Sequence, residues 1–154
     1  VLMFLFSGLA LIPDLDVVAF ALRVPYGAPW GHRGASHSLA AALAVGLLAG
    51  WLARGTSLPP VRTGLWAVLA MASHGLLDIL TDGGQGVALF WPLDPTRYFA
   101  PFRPLPVSPV GAGMFSARGL YVIGVELLAF APLWLYALWP RRAVVAPTRL
   151  HLSG

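Results

Sequence analysis

The residues best suited to metal chemistry in this 154-residue chain are histidines and aspartates in three short segments. These read PDLD at 13–16, HRGASHS at 32–38 and SHGLLDILTDGG at 73–84. The chain has no cysteine, which excludes thiol catalysis and cysteine-ligated zinc. Imidazole and carboxylate groups are ligands that suit zinc, manganese or iron. The segments therefore predict a divalent-metal site, provided that the fold brings them together.

The third segment holds a charged pair inside an apolar stretch. His74 and Asp78 are four residues apart, so on a helix their side chains lie on one face. An ionisable residue in an apolar spanning segment costs about 2.5–3.5 kcal/mol on insertion scales, and such residues usually face a partner, a cavity or a metal. A bound cation would offset that cost, and so would a hydrogen-bonded structural pair.

Each segment also has a purely structural interpretation. PDLD is typical of a turn followed by a helix cap, and HRGASHS could be a membrane-proximal anchor in which Arg33 lies at headgroup depth and Ser36 caps a helix. His74 and Asp78 alone favour a structural pair. The coincidence of three histidines and several aspartates in the same region favours the metal site instead.

The composition is that of a membrane protein. Hydrophobic residues make up 58% of the chain and charged residues only 10%, and the mean hydropathy is +0.75. All ten basic residues are arginines and are spread through connecting segments, which suits lipid headgroups and argues against nucleic-acid binding. Membrane lipid is thus the expected partner.

The apolar segments predict an all-α, polytopic membrane bundle of about four spanning helices in one domain over residues 1–140. A long loop rich in glycine and proline at 81–118 and a disordered basic tail at 141–154 complete the prediction. The expected spans are 1–12, 36–53, 64–80 and 119–139, and the first of them ends at the break made by Pro13.

If consecutive spans cross the membrane in opposite directions, all three segments lie at the same membrane face. The arginines divide equally between the two faces and do not set the orientation. Because Arg141 and Arg142 directly follow the last span, we expect the site on the outer face.

Glu126, within the last span, is expected to pair with a polar group on another helix. The chain starts at Val1 within an apolar run, so we expect it to be a fragment with a further ligand upstream.

Together the three segments resemble the pattern of the YdjM family, over roughly residues 8–95. That family is described as membrane-bound, metal-dependent hydrolases and as LexA-binding, inner-membrane-associated hydrolases. It is distantly similar to the superfamily of zinc-dependent phospholipase C and P1 nuclease. The resemblance implies a multi-pass protein of the bacterial inner membrane, with zinc as the expected ion and these ligands: Asp14, Asp16, His32, His37, His74 and Asp78.

The expected activity is hydrolysis of a phosphoester or lipid-type substrate by a metal-activated water. Asp14 or Asp16 would bridge two ions or accept a proton from the water, and Arg33 would either bind a phosphate oxygen or anchor the chain at the interface. The alternative is a non-enzymatic membrane protein that binds metal or translocates ions through the same residues.

Overall fold

The computed structural model describes residues 2–109 and 111–139, and these ranges consist of helices, short 3₁₀ turns and ordered loops. The α-helices are α1 (Leu2–Leu11), α2 (Val18–Ala21), α3 (Leu39–Ala53), α4 (Pro60–Asp78), α5 (Ala117–Ala129) and α6 (Ala131–Leu138). The 3₁₀ turns are Ile12–Val17, Ala35–His37 and Gly111–Phe115. The prediction of an all-α fold is confirmed, whereas the expected disordered tail lies outside the described residues.

The prediction of a polytopic bundle of spanning helices is wrong for the described residues. None of their helices combines the length and the apolar character needed to cross a bilayer. Helix α3 has 15 residues and rises about 22 Å, short of a hydrocarbon core of about 30 Å. Helix α4 has 19 residues, but Arg62, His74 and Asp78 lower its hydropathy. The fourth expected span is interrupted at Phe130, and Pro132 lies in the first turn of the helix that follows.

The placement of the site on the outer face and the multi-pass topology both depended on those alternating spans. Both predictions lose their support because the described helices do not form a bundle of spanning helices. The convergence of the three segments does not depend on it, because the contacts described below bring the segments together directly.

Helices α3 and α4 form the centre of the fold, and α1 packs against α4. The α3–α4 contact is close because glycines face each other across it. A Cβ added to Gly46 would lie 2.2 Å from Val68 Cγ2 and 2.9 Å from the Gly64 carbonyl oxygen. Small residues allow two helix backbones to approach in this way. The exposed faces of both helices remain apolar, with Leu47 and Leu65 more than half exposed.

Two caps differ from the sequence-based expectation or refine it. Ser38, rather than Ser36, caps α3, since its hydroxyl accepts a hydrogen bond from the Ala41 backbone N–H at 3.1 Å. Ser36 instead contacts the site, as described below. Pro60 starts α4 at a position where its missing N–H costs nothing.

The segment that follows α4 is ordered by pairing with the rest of the chain. Val87 and Tyr98 form an antiparallel bridge, and Thr81 and Leu105 form a parallel one. The backbone N–H of Ala88 donates to the Arg33 carbonyl at 3.0 Å. This part of the predicted 81–118 loop therefore packs against the segment that contains HRGASHS.

Replacing Gly46 by Ala is expected to destabilise the fold by about 1–3 kcal/mol, since the new methyl group overlaps Val68 and the α4 backbone. Thermal unfolding in detergent measures the effect. Gly124→Ala in α5 is the matched control, because no atom lies within 4 Å of its added Cβ. Equal melting temperatures for the two variants would contradict close packing at the α3–α4 contact.

Candidate metal centre

Four side chains from three segments converge at one point beside the end of α4. They are Asp14 from the first 3₁₀ turn, His37 from the second, and His74 and Asp78 from α4, and one ligand atom from each lies within 4.8 Å of the others. His37 Nε2 is 3.2 Å from Asp78 Oδ2 and 3.5 Å from Asp14 Oδ1. His74 Nε2 is 3.3 Å from the same Asp14 oxygen.

Three of these ligand atoms are buried and make no hydrogen bond: His37 Nε2, His74 Nε2 and Asp78 Oδ2. Burying polar atoms without partners is costly, so such atoms call for an explanation. All three atoms lie within 4.8 Å of one another, and imidazole nitrogen and carboxylate oxygen are common metal ligands. The residues thus fit a divalent cation.

Asp16 holds the loop around the cluster. Its Oδ1 lies 2.6 Å from His32 Nδ1, and its Oδ2 accepts hydrogen bonds from the Ser36 hydroxyl at 2.6 Å and the Arg33 backbone N–H at 3.1 Å. The same oxygen is 3.1 Å from His37 Nδ1, which also lies 3.0 Å from Ser36 Oγ. These contacts orient the ring so that Nε2 faces the cluster, as carboxylates commonly orient metal-binding histidines.

The structure therefore divides the six residues of the predicted ligand set into two overlapping groups. The first consists of Asp14, His37, His74 and Asp78, and the second of Asp16, His32 and His37. The second group is already joined by the short contact between His32 and Asp16. Either group has the spacing of a metal site, so Asp16 and His32 stay predicted ligands. Asp16 also contacts His37 Nδ1 and can thereby orient this ring toward the first group.

Arg33 joins the two halves of the site and is 5% exposed. Its guanidinium donates to Asp78 Oδ1 at 3.1 Å, to Thr81 Oγ1 at 3.0 Å and to the Gly83 carbonyl at 3.1 Å. Its backbone has a positive φ of 60°, which is uncommon for a residue with a side chain. Both terminal nitrogens are thus occupied by the protein, and only Nε lacks a partner.

Gly75 permits α4 to approach the HRGASHS segment. A Cβ at this position would lie 2.6 Å from the His37 carbonyl oxygen. Gly75 directly follows His74 and lies three residues before Asp78. The close contact between the Gly75 backbone and the His37 carbonyl therefore brings both candidate ligands next to His37. A larger residue would force the two segments apart.

Arg97 is a site residue that sequence reasoning missed. Its guanidinium donates to backbone carbonyls of the 26–33 segment and of Gly86, over distances of 2.9–3.4 Å, and lies over the Tyr26 ring. Two of the acceptors are the carbonyls of His32 and Arg33. No spacing rule could have identified this role, because four of the five acceptors are backbone atoms more than 60 residues away.

The cluster's electrostatics favour charge on both kinds of side chain. Burial alone would raise the pKa of Asp14 and of Asp16, but the neighbouring imidazole rings outweigh burial and lower both pKa values well below the ordinary one. Burial alone would lower the pKa of His37. The nearby carboxylates of Asp14, Asp16 and Asp78 instead raise that pKa to about 10.

A cavity of about 510 Å³ opens beside the cluster. Asp14, His74 and Asp78 line it together with apolar groups that include Leu11, Val17, Leu77, Leu105, Met114 and Phe130. Glu126 of α5 lines it too. Among the described residues Glu126 has no hydrogen-bonding or ion-pairing partner, so the expected pairing with a polar group on another helix is not found.

These features define a helical protein with a partly buried cluster of histidines and aspartates beside a mainly apolar cavity. The family model described as YdjM inner membrane protein matches residues 1–146, so the chain belongs to the YdjM family. It is 39% identical over 149 residues to the inner membrane protein YbcI of Escherichia coli strain K12, covering 90% of this chain and 84% of that one. No solved structure matches. These matches support an inner-membrane location.

Replacing Arg97 by Lys is expected to destabilise the protein by about 2–3 kcal/mol, because one ammonium group cannot reach both the carbonyls bound by Nη1 and those bound by Nη2. Chemical denaturation measures the loss. Arg103→Lys is the control, since that exposed guanidinium lies over the Phe99 ring. An Arg97→Lys variant as stable as the control would show that the carbonyl contacts contribute little.

The raised pKa of His37 predicts a pH dependence in chelator-treated protein. Protonated His37 stabilises the folded state, so its contribution is complete below about pH 6.5 and is lost as the pH rises through about 10. The free energy of unfolding, measured by denaturant titration at several pH values, should therefore fall across this range. A histidine ring signal from His37 that titrates near pH 6.5 by NMR would refute the assignment.

Proposed function

We propose that this protein is a membrane-associated, metal-dependent hydrolase. The observation that carries the proposal is the set of three buried, unpartnered ligand atoms, His37 Nε2, His74 Nε2 and Asp78 Oδ2, beside Asp14. Zinc is the preferred ion, with manganese or iron as alternatives, because imidazole and carboxylate ligands suit these metals.

The spacing of the donors supports four-coordinate binding. A tetrahedron with metal–ligand distances of about 2.0–2.1 Å has edges of roughly 3.3–3.4 Å. Four of the six donor pairs lie at 3.2–3.8 Å, and all six lie within 4.8 Å. Asp14, His37, His74 and Asp78 would hold the ion, which when bound supplies Lewis acidity and lowers the pKa of a coordinated water.

The residues around the ion have distinct parts in this proposal. Asp14 has the most exposed side chain of the four, at 48%, and lines the cavity, so it is the ligand best placed to contact water or substrate. Asp16 orients His37 through Nδ1 and fixes which nitrogen faces the ion. Arg33 holds Asp78 in place, and only its unpartnered Nε could serve a substrate oxygen.

The cavity supports a substrate that has both a polar and an apolar part. Its polar side is formed by the candidate ligands, and the remaining wall is mainly leucine, proline, methionine and phenylalanine. Membership of an inner-membrane family makes a lipid-type molecule available. A phosphoester or carboxylic ester of lipid type is therefore the proposed substrate class.

A non-enzymatic metal-binding protein is the second candidate. It is favoured by the number of donors, since two histidines and two aspartates complete a four-coordinate set without water, as in structural zinc sites. Hydrolysis requires one position to open. The exposure of Asp14 to the cavity is the observation that favours the enzyme.

His74→Ala and Asp78→Asn are expected to abolish stoichiometric zinc binding, because each removes one of four donors. Elemental mass spectrometry of the purified protein after zinc loading and gel filtration measures the metal content. Asp94→Asn, which alters an exposed carboxylate remote from the cluster, is the control and should retain one zinc per chain.

Hydrolysis is then assayed with bis(4-nitrophenyl) phosphate and dihexanoylphosphatidylglycerol. Zinc-dependent turnover by the wild type that is absent in His74→Ala supports the enzyme. Stoichiometric zinc without turnover supports the metal-binding alternative. Absence of bound zinc, manganese and iron from loaded wild type would refute both.

A further inference from the structure

Glu126 is a carboxylate that the metal centre does not use. It lies on α5, whereas the candidate ligands come from α4 and the two 3₁₀ turns that precede α3. It nevertheless lines the same cavity as Asp14, His74 and Asp78. The fold thus presents a further ionisable side chain to the space beside the ligands, from a separate element.

Glu126 also differs from the other charged groups of the cavity in lacking a partner. Asp78 is bound by Arg33, and Asp14 lies 3.3–3.5 Å from two histidines. The Arg33 guanidinium is itself occupied by Asp78, Thr81 and Gly83. Within the described part of the chain, Glu126 makes neither a hydrogen bond nor an ion pair. Its carboxyl group is therefore available to a molecule in the cavity.

The surroundings favour the protonated form of this carboxyl group. Burial raises the pKa of Glu126, and the negative charge of Asp78 raises it further. The other titratable or charged groups that face the cavity are Asp14, His32, Arg33 and His74. A raised pKa brings a carboxyl group closer to the range in which general acids operate.

We propose that Glu126 is the proton donor of the hydrolytic reaction. As the water oxygen bonds to phosphorus and the bond from phosphorus to the leaving oxygen breaks, the Glu126 carboxyl group gives its proton to the leaving oxygen. The attacking water releases one proton, which restores the carboxyl group. The products are an alcohol and a phosphate monoester. This role rests on the proposed hydrolase function.

The placement of Glu126 on a separate element suits this role. A general acid that protonates the leaving group is distinct from the group that activates the water. Asp14, His74 and Asp78 line the cavity from the first 3₁₀ turn and α4, whereas Glu126 lines it from α5.

The test compares leaving groups. For zinc-loaded Glu126→Gln, we expect kcat for dihexanoylphosphatidylglycerol to fall by about 100-fold or more, because an alkoxide leaves poorly without a proton. For bis(4-nitrophenyl) phosphate we expect a fall of less than about tenfold, because nitrophenolate needs little protonation. The zinc content should stay at the wild-type level, and Asp94→Asn should match the wild type with both substrates.

A merely structural role for Glu126 predicts a different result. Equal losses with the two substrates, or no loss with either, would overturn the role of proton donor. If the wild type were active, His74→Ala inactive and Glu126→Gln unimpaired, only this inference would fail. If the zinc-loaded wild type hydrolysed neither substrate, the proposed hydrolase function would fail and the proton donor with it.

Discussion

The carboxylate of Asp16 is the interaction on which the site depends. It binds a ring nitrogen of His32, the hydroxyl of Ser36 and the backbone N–H of Arg33, and it lies beside His37. These groups belong to a loop with little regular structure, and their contacts with Asp16 hold the loop against the first 3₁₀ turn. Asp14 lies two residues earlier on that turn, so the same contacts bring Asp14 to the candidate ligand cluster.

Compensation of charge explains how an otherwise apolar chain accommodates these residues. The carboxylates of the cluster have cationic or imidazole neighbours, as Asp78 has Arg33 and Asp16 has His32. A buried charge that lacks a partner costs several kcal/mol, so the side chains are mutually dependent. The cluster is therefore best regarded as one unit whose members fold together.

The sequence was sufficient to locate the candidate site but not its internal organisation. The spacing of His74 and Asp78 predicted that they share a helix face, and their side chains do meet within the same cluster. The pattern could not distinguish Asp14, a candidate ligand, from Asp16, which positions the loop, because both are aspartates of one short turn. Nor could it distinguish Ser36 from Ser38 as the helix cap, since each precedes an apolar run by a few residues.

The error in the fold had a physical cause. The high average hydropathy of the apolar stretches predicts spanning helices, but helix length depends on where the backbone breaks. The break at Phe130 divides the last stretch, and Arg62, His74 and Asp78 reduce the apolar character of α4. Arg97 was missed for a related reason: its partners are carbonyl groups, which every residue possesses.

The dependence of the HRGASHS segment on Arg97 has a consequence for the order in which the protein matures. During synthesis, residues 26–34 leave the ribosome long before residue 97, and domains fold as units during synthesis rather than residue by residue. The guanidinium that binds the Tyr26, Ala28, His32 and Arg33 carbonyls is absent until then. The histidines and aspartates of the cluster thus reach their final geometry only after residue 97 has been made.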